Sequence, residues 1–316
     1  MIIFGILLVC CSVLTILVYN YLSGKNLLMD IAHFILIKQS SVFDLDQKWA
    51  KNKDKANIII SLTTIPERIN HLELTIKSLL FQSRPPKKIW INLPYRSFRN
   101  NEEYVIPNWL LQVSAIQIVR VDKDFGPSTK FIPALEKSEP DQNILVVDDD
   151  NLYPSRYIEE FEQMERNHKD VILAASGWRV PKDLIDRPTT LKSNIFKIPP
   201  TPIPATRVKN FYQVDIIQGY SAYLIKPRFF DLDELKNFSS APKQVRFVDD
   251  VWISAHSRVK KFVFPMNRFC YSPFFSKGTF KSTSLAKINN HNREDYRDRN
   301  NSIAIAHFKG QWMINQ

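Results

Sequence analysis

Five short apolar runs decide what this chain can become. They are NIIISL at 57–62, KKIWINL at 87–93, IQIVRV at 116–121, NILVVDD at 143–149 and VILAAS at 171–176. Each has strand length, and NIIISL lacks the polar alternation of a half-solvated strand. Runs of this kind belong to strands covered on both faces. Helical periods lie between them. In ERINHLELTIKSLLFQS the residues Ile69, Leu72, Ile76, Leu79 and Leu80 share one face. STKFIPALEKS predicts a short helix and SRYIEEFEQMERNH a longer one. The alternation predicts an α/β fold with a mostly parallel sheet and helices on both faces.

The fourth run ends in Asp148, Asp149 and Asp150. Like charges this close repel, and some take up protons unless a cation holds them apart. In open parallel sheets ligands sit beyond the carboxyl ends of the strands. Adjacent hard carboxylates there suit Mg²⁺ or Mn²⁺, which prefer oxygen and leave positions open for phosphate oxygens. The plainer reading of the same residues is a solvated turn that starts the helix near Pro154.

The second half is less regular. RPTTLKSNIFKIPPTPIPATRV, 187–208, reads as a loop over the site. VDIIQGYSAYLIK, 214–226, reads as a strand interrupted at Gly219. That glycine lets backbone approach a ligand closely, so Gly219 and Tyr220 are expected to shape a binding pocket. VRFVDDVWISAHSRV predicts a helix opening at Asp249 and Asp250, with Trp252 as core packing. KFVFP reads as a last strand, and the charged stretch 287–302 as a mobile loop. Trp178 and Arg179, after the fifth run, are either core and surface or contacts to a sugar and a phosphate.

The N-terminus carries a different signal. Residues 2–19 contain no charge, and extended to Leu22 the stretch rises about 31 Å as a helix, enough for a bilayer core. A signal peptide needs a basic start and a small-residue cleavage site, and neither is present. The expected organisation is a single-pass anchor at 1–22, a stem at 23–55 and a catalytic domain at 56–316. Lys25 follows the span, which by the positive-inside rule keeps the domain cytoplasmic. In a bacterium that is the cytoplasmic face of the inner membrane. In a eukaryote the expected place is the lumenal face of the Golgi or ER.

Composition narrows the classes. The 316 residues are 44% hydrophobic and 24% charged, ordinary for a globular protein with a sizeable core. Only 7 glycines occur, with no GxGxxG and no GxxxxGK[ST], which counts against Rossmann and P-loop enzymes. The formal charge of +11 favours anionic partners such as a nucleotide diphosphate or a membrane surface. Its basic residues are scattered and no zinc-finger or RNP-type motif is present, so nucleic acid is not an expected partner. Cys10 and Cys11 lie in the apolar span, leaving Cys270 alone and excluding an intrachain disulfide in the rest.

Six segments, taken together, resemble the GT-A glycosyltransferases. ISLTTIPERI is similar to their opening strand and nucleotide loop, and TIKSLLFQSRPPKKIWINLP to the helix and strand that follow. DFGPSTKFIPALE precedes the metal strand, and ILVVDDDNLYP matches the D-x-D element. DIIQGYSAYLIKPRFF resembles the donor and acceptor loop, and VDDVWIS the late acidic motif. The order and spacing match across roughly 56–265. The resemblance implies a nucleoside diphosphate sugar, UDP-linked, as donor and a hydroxyl on a glycan, protein or lipid as acceptor. It places Asp148 near the ribose and, together with Asp150, on the metal, with Thr63, Arg68, Lys130 and more weakly Asp124 around the nucleotide. It makes Asp250 the acceptor-side base for an inverting reaction, with Asp249 beside it. Many such enzymes add a C-terminal histidine to the metal, for which His307, at a strand end in IAIAHFKG, is the candidate, with Lys309 near the phosphates. A nucleotidyltransferase on a related sheet is the rival enzyme, but LTTIPERI lacks the Gly-rich loop it needs. A tethered, non-catalytic binding protein is the other alternative.

Overall fold

The computed structural model describes residues 1–198, 201–274, 285, 289 and 295–315. Its strands are β1 Ala56–Thr63, β2 Pro86–Pro94, β3 Ile116–Val121, β4 Asn143–Val146, β5 Ile172–Ala174, β6 Ser176–Trp178, β7 Ile203–Pro204, β8 Tyr212–Gln213, β9 Ile216–Ile217, β10 Tyr223–Ile225 and β11 Lys261–Val263. Eight of them form one sheet in the order β3-β2-β1-β4-β10-β5-β11-β8. β1 pairs parallel with β2 and β4, β2 with β3, and β5 with β11, while β10 and β8 run antiparallel. The expected mostly parallel sheet flanked by helices is therefore present. A small antiparallel sheet, β7-β6-β9, stands beside it.

The apolar runs form the strands because both of their faces are covered. Ile58, Ile59, Ile60 and Leu62 of β1 are all buried, as are Ile144, Leu145 and Val146 of β4. β1 and β4 lie in register, Ile60 opposite Leu145 and Ser61 opposite Val146. The helix Glu73–Leu80 buries Ile76, Leu79 and Leu80, and the helix Tyr157–Asn167 buries Tyr157, Ile158 and Phe161.

Several boundaries differ from the sequence reading. β4 stops at Val146, so the three aspartates occupy the turn beyond it and not the strand itself. There the Tyr153 hydroxyl accepts the Asp148 N–H at 3.0 Å, a bond a continuing ladder would exclude. The run 171–176 divides between two sheets. The stretch 214–226 is two strands in different sheets, parted by a 3-10 turn at Gly219–Ser221. Within 187–208 a helix forms at Leu191–Phe196, started by a reciprocal Thr190/Ser193 cap; residues 199 and 200 lie outside the described residues. Of the charged stretch 287–302, residues 287–288 and 290–294 lie outside them too. Its end is ordered as the helix Asn300–His307, which buries Ala304 and Ile305. Residues 23–55, read as a stem, fold as two helices against the body, Leu27–Gln39 and Val42–Lys51. Asp30 pairs there with Arg268 at 2.5 Å, His33 meets the Tyr271 hydroxyl at 2.6 Å, and the Trp49 indole N–H donates to the Pro86 carbonyl at 2.8 Å.

The helix Ile2–Ser23 is the one described helix long and apolar enough to cross a membrane.

The late helix Asp249–Ala255 is fixed by Trp252, the core residue the sequence suggested. Its ring stacks on Phe238 with centroids 4.0 Å apart, and its N–H donates to the Leu235 carbonyl at 2.8 Å. Trp252→Ala removes the stack and leaves that carbonyl unmet, so denaturation should show a loss of about 3–5 kcal/mol. A loss under about 1 kcal/mol would mean that the helix is held elsewhere.

Candidate active site

The loops beyond the carboxyl ends of β1 and β4 enclose a cleft of about 490 Å³. Five carboxylates gather in it: Asp148, Asp149 and Asp150 from the turn after β4, and Asp249 and Asp250 from the first turn of the late helix. A helix start favours carboxylates electrostatically, which explains the second pair locally but not its approach to the first.

Asp149 faces inward. Its Oδ1 accepts from Arg68 Nη1 at 3.0 Å and its Oδ2 from the Thr64 hydroxyl at 2.6 Å. Its backbone carbonyl accepts from the Thr75 hydroxyl at 3.0 Å. Burial raises its pKa against the pull of Arg68 and Thr64. Asp148 and Asp150 instead keep side-chain exposures of 29% and 32% and open onto the cleft. Arg68 also lies 3.5 Å from Asp150 Oδ2. The arginine expected near a nucleotide is thus buried against the acidic turn.

Lys130 is buried as well. Its Nζ lies 2.7 Å from Asp148 Oδ1 and 2.6 Å from Asp249 Oδ2. Burial works to lower its pKa, but Asp148 and then Asp249 outweigh it and hold the ammonium charged. Gly219 presses on the same ammonium: a Cβ there would sit 2.3 Å from Lys130 Nζ. The Gly219 N–H donates to Asp250 Oδ1 at 2.8 Å. Glycine is required here by Lys130, a closer constraint than the ligand approach expected from the sequence.

Arg68 and Lys130 pair with four of the five carboxylates, while Asp250 accepts from the Gly219 N–H and Arg99 acts on Asp149 from the cleft wall. The excess shows in the titration. Burial first, then Asp149 and Asp148, push Asp150 up to about 7. Burial and the neighbouring Asp249 hold Asp250 well above the carboxylate range.

The other expected residues divide. Tyr220 lines the cleft, its ring edge-on to Phe269 and its carbonyl accepting from Asn151 Nδ2 at 3.2 Å. Thr63 lines it too, although its hydroxyl donates to the Asn92 carbonyl at 2.7 Å. Asp124 borders the cleft, with its oxygens spent on the Gly126 and Phe98 N–H groups and the Thr129 hydroxyl. Trp178 is both buried and part of the wall. Arg179 turns away, over the Tyr212 ring and onto the Gln213 carbonyl.

His307 does not join the cleft. The alternation IAIAH suggested a strand end, but the segment is helical, and His307 sits exposed at its last turn against Phe308. Lys309 is exposed just beyond it. Among the described residues no group of three His, Cys, Asp or Glu side chains is arranged to hold a metal alone. Asp148 and Asp150 remain as the pair open to the cleft. That suffices for Mg²⁺ or Mn²⁺ chemistry, in which one or two carboxylates share the ion with phosphate oxygens and water.

Sequence reasoning missed Lys25, Arg99, Tyr104, Gln218 and Cys270, all of which line the cleft. Only Lys25, the first charge after the apolar run, had a visible signal. Burial pushes the Cys270 thiol up to about 12, so it is not a nucleophile at neutral pH.

No known family model matches the chain, and no curated protein matches it. Among solved structures it is similar to S. aureus TarS 1-349, with a TM-score of 0.40 and 12% identity over 73% of this chain and 63% of that one. It is also similar to a second S. aureus TarS structure, with a TM-score of 0.40 and 13% identity over 80% of this chain and 42% of that one. The chain spans less than two thirds of either TarS structure.

The acidic corner gives a pH signature. The folded pKa of Asp150, about 7, lies above its ordinary 3.8. Its protonated form therefore stabilises the fold, fully below the unfolded value, and the contribution is lost as pH rises to and through about 7. Asp150→Asn removes this dependence. With chelator present, the variant's melting temperature should gain on wild type between about pH 5 and about pH 8. The difference is the measure, because His33 and His256, both lowered by burial, act with the opposite sign in acid. A difference that stays flat would show that Asp150 titrates normally.

Proposed function

We propose that this chain is a metal-dependent glycosyltransferase that moves a sugar from a nucleoside diphosphate donor, UDP-linked, to an acceptor hydroxyl. The observation that carries the reading is the excess of carboxylates beyond the ends of β1 and β4, with Asp148 and Asp150 open to the cleft. Asp148 and Asp150 would hold Mn²⁺ or Mg²⁺. Such an ion, when bound, neutralises the charge that gathers on the departing diphosphate.

The chain's own groups then have distinct tasks. Lys130 and Arg68 keep the acidic corner folded and bring positive charge to the phosphate end of the cleft. Asp250 faces the acceptor side, with Oδ1 fixed by the Gly219 N–H and Oδ2 left for the acceptor. In an inverting reaction the acceptor oxygen bonds to the anomeric carbon. The bond from that carbon to phosphate breaks, and its electron pair leaves with the diphosphate. The hydroxyl proton passes to Asp250 in its ionised form, held in place by the Gly219 N–H. In a retaining reaction Asp250 orients the hydroxyl instead. Asp249, bound to Lys130, is a positioning residue. Domain 56–316 carries this chemistry, and the helix Ile3–Ser23 anchors it to a membrane with Lys25 on the cytoplasmic side.

Nucleotide release from a panel of UDP- and GDP-sugars, with Mn²⁺ and with chelator, tests the reading. Turnover should require the metal, and Asp250→Asn should lower it about 10²–10⁴-fold. UDP with Mn²⁺ should raise the melting temperature, and Asp150→Ala should abolish that shift by removing the linked ligand. Turnover unaffected by chelator, or a shift that survives Asp150→Ala, would overturn the assignment.

A further inference from the structure

We propose that a basic groove beside the cleft binds the phosphate of a membrane-borne lipid, and that this lipid is the acceptor; the second part rests on the glycosyl-transfer reading. The groove opens where the apolar helix Ile2–Ser23 ends. That helix carries no charge, and its most apolar window is not buried by the body. Its end is pinned. Gly24 is left-handed, with φ 70°, and its carbonyl accepts from the Thr206 hydroxyl at 2.6 Å. A Cβ at Gly24 would lie 2.6 Å from Pro204 Cγ. Asn20 Oδ1 accepts from the Leu27 N–H at 2.9 Å, closing the turn out of the helix.

The groove holds about 340 Å³ and is lined by Lys25, Lys197, Arg207 and Arg268, with no carboxylate in its wall. Asp30, behind the wall, takes Arg268 at 2.5 Å. Among the described residues no carboxylate lies within ion-pair distance of Lys25, Lys197 or Arg207, and Asp30 acts on Lys25 only at longer range. The cations are nevertheless held in place. Arg207 Nη2 donates to the Asn194 carbonyl at 2.5 Å, its guanidinium lies 5.0 Å from the Tyr21 ring, and Lys197 Nζ donates to the Arg207 carbonyl at 2.7 Å. Unpaired cations fixed at the end of a membrane-length helix meet the headgroup layer, and clustered Lys and Arg there recognise lipid phosphate. Lys25 lines both this groove and the carboxylate cleft. A lipid phosphate in the groove therefore lies beside the cleft, within reach of its open volume. The donor diphosphate is assigned to the separate corner at Asp148 and Asp150.

The test is a binding measurement on the full chain in neutral detergent, with fluorescent phosphatidic acid and fluorescent phosphatidylcholine as probes. Phosphatidic acid should bind saturably and phosphatidylcholine should not. The double variant Lys197→Gln/Arg207→Gln should bind phosphatidic acid at least about tenfold more weakly. Lys25→Gln, which leaves the 194–207 segment untouched, gives the same direction if the double variant is unstable. Equal binding of both probes, or unchanged affinity in both variants, overturns the site. Inorganic phosphate that competes with the affinity of the lipid itself assigns the groove to free phosphate and overturns the membrane-borne source. No donor is present, so the two readings fail separately. Lipid binding lost in the variants, with no sugar transfer from any donor, removes the transfer reading and leaves the lipid site standing.

Discussion

One buried ammonium organises this molecule. Lys130 Nζ sits between Asp148 and Asp249 and so ties the turn after β4 to a helix a hundred residues later in the chain. A buried charge is tolerable only when its partners are in place, and removing one partner of such a set costs far more than the set contributes. The surroundings obey that constraint. The Lys130 carbonyl accepts from the Ser61 hydroxyl at 2.6 Å, and Asn92 Nδ2 donates to that same hydroxyl at 2.8 Å. Gly219 leaves room for the side chain. β1, β2, the turn at Gly126–Lys130, the Gly219 turn and the late helix all converge on one lysine.

The three consecutive aspartates divide their labour by direction. Asp149 points inward, where Arg68 and Thr64 clasp the turn against the loop after β1 and Thr75 ties it to the helix Glu73–Leu80. Its neighbours on either side are thereby aimed outward. The inner carboxylate sets the geometry that the outer two present, and Arg68 is shared between the scaffold and the exposed Asp150.

Much of this could be read from the residues. The apolar run at 57–62 has no stable place except a covered sheet and became β1, and the strand-length run at 116–121 became the half-buried edge strand β3. The helix opening at Asp249 and the buried role of Trp252 followed from capping and period. What failed had its cause in tertiary contacts. IAIAH alternates like a strand, yet its segment packs as a helix, and that removed His307 from the site. VDIIQGYSAYLIK is apolar enough for one strand, but a 3-10 turn at Gly219–Ser221 divides it between two sheets. Whether a given lysine or arginine is buried leaves no trace in local pattern, so the depth of Lys130 and Arg68 emerged only from the fold. Arg99 and Tyr104 reach the cleft from an irregular segment that carries no periodic signal at all.

The left-handed glycine at the end of the apolar helix has a mechanical consequence. Because Gly24 is wedged against Pro204 and Thr206, the axis of that helix is not a free tether but a spoke set into the hub of the body. One extra residue ahead of it would rotate the preceding helix about its own axis by about 100° and advance it about 1.5 Å along that axis. The direction in which the apolar helix leaves the body is thereby fixed by the left-handed turn at Gly24 and its contacts with Pro204 and Thr206.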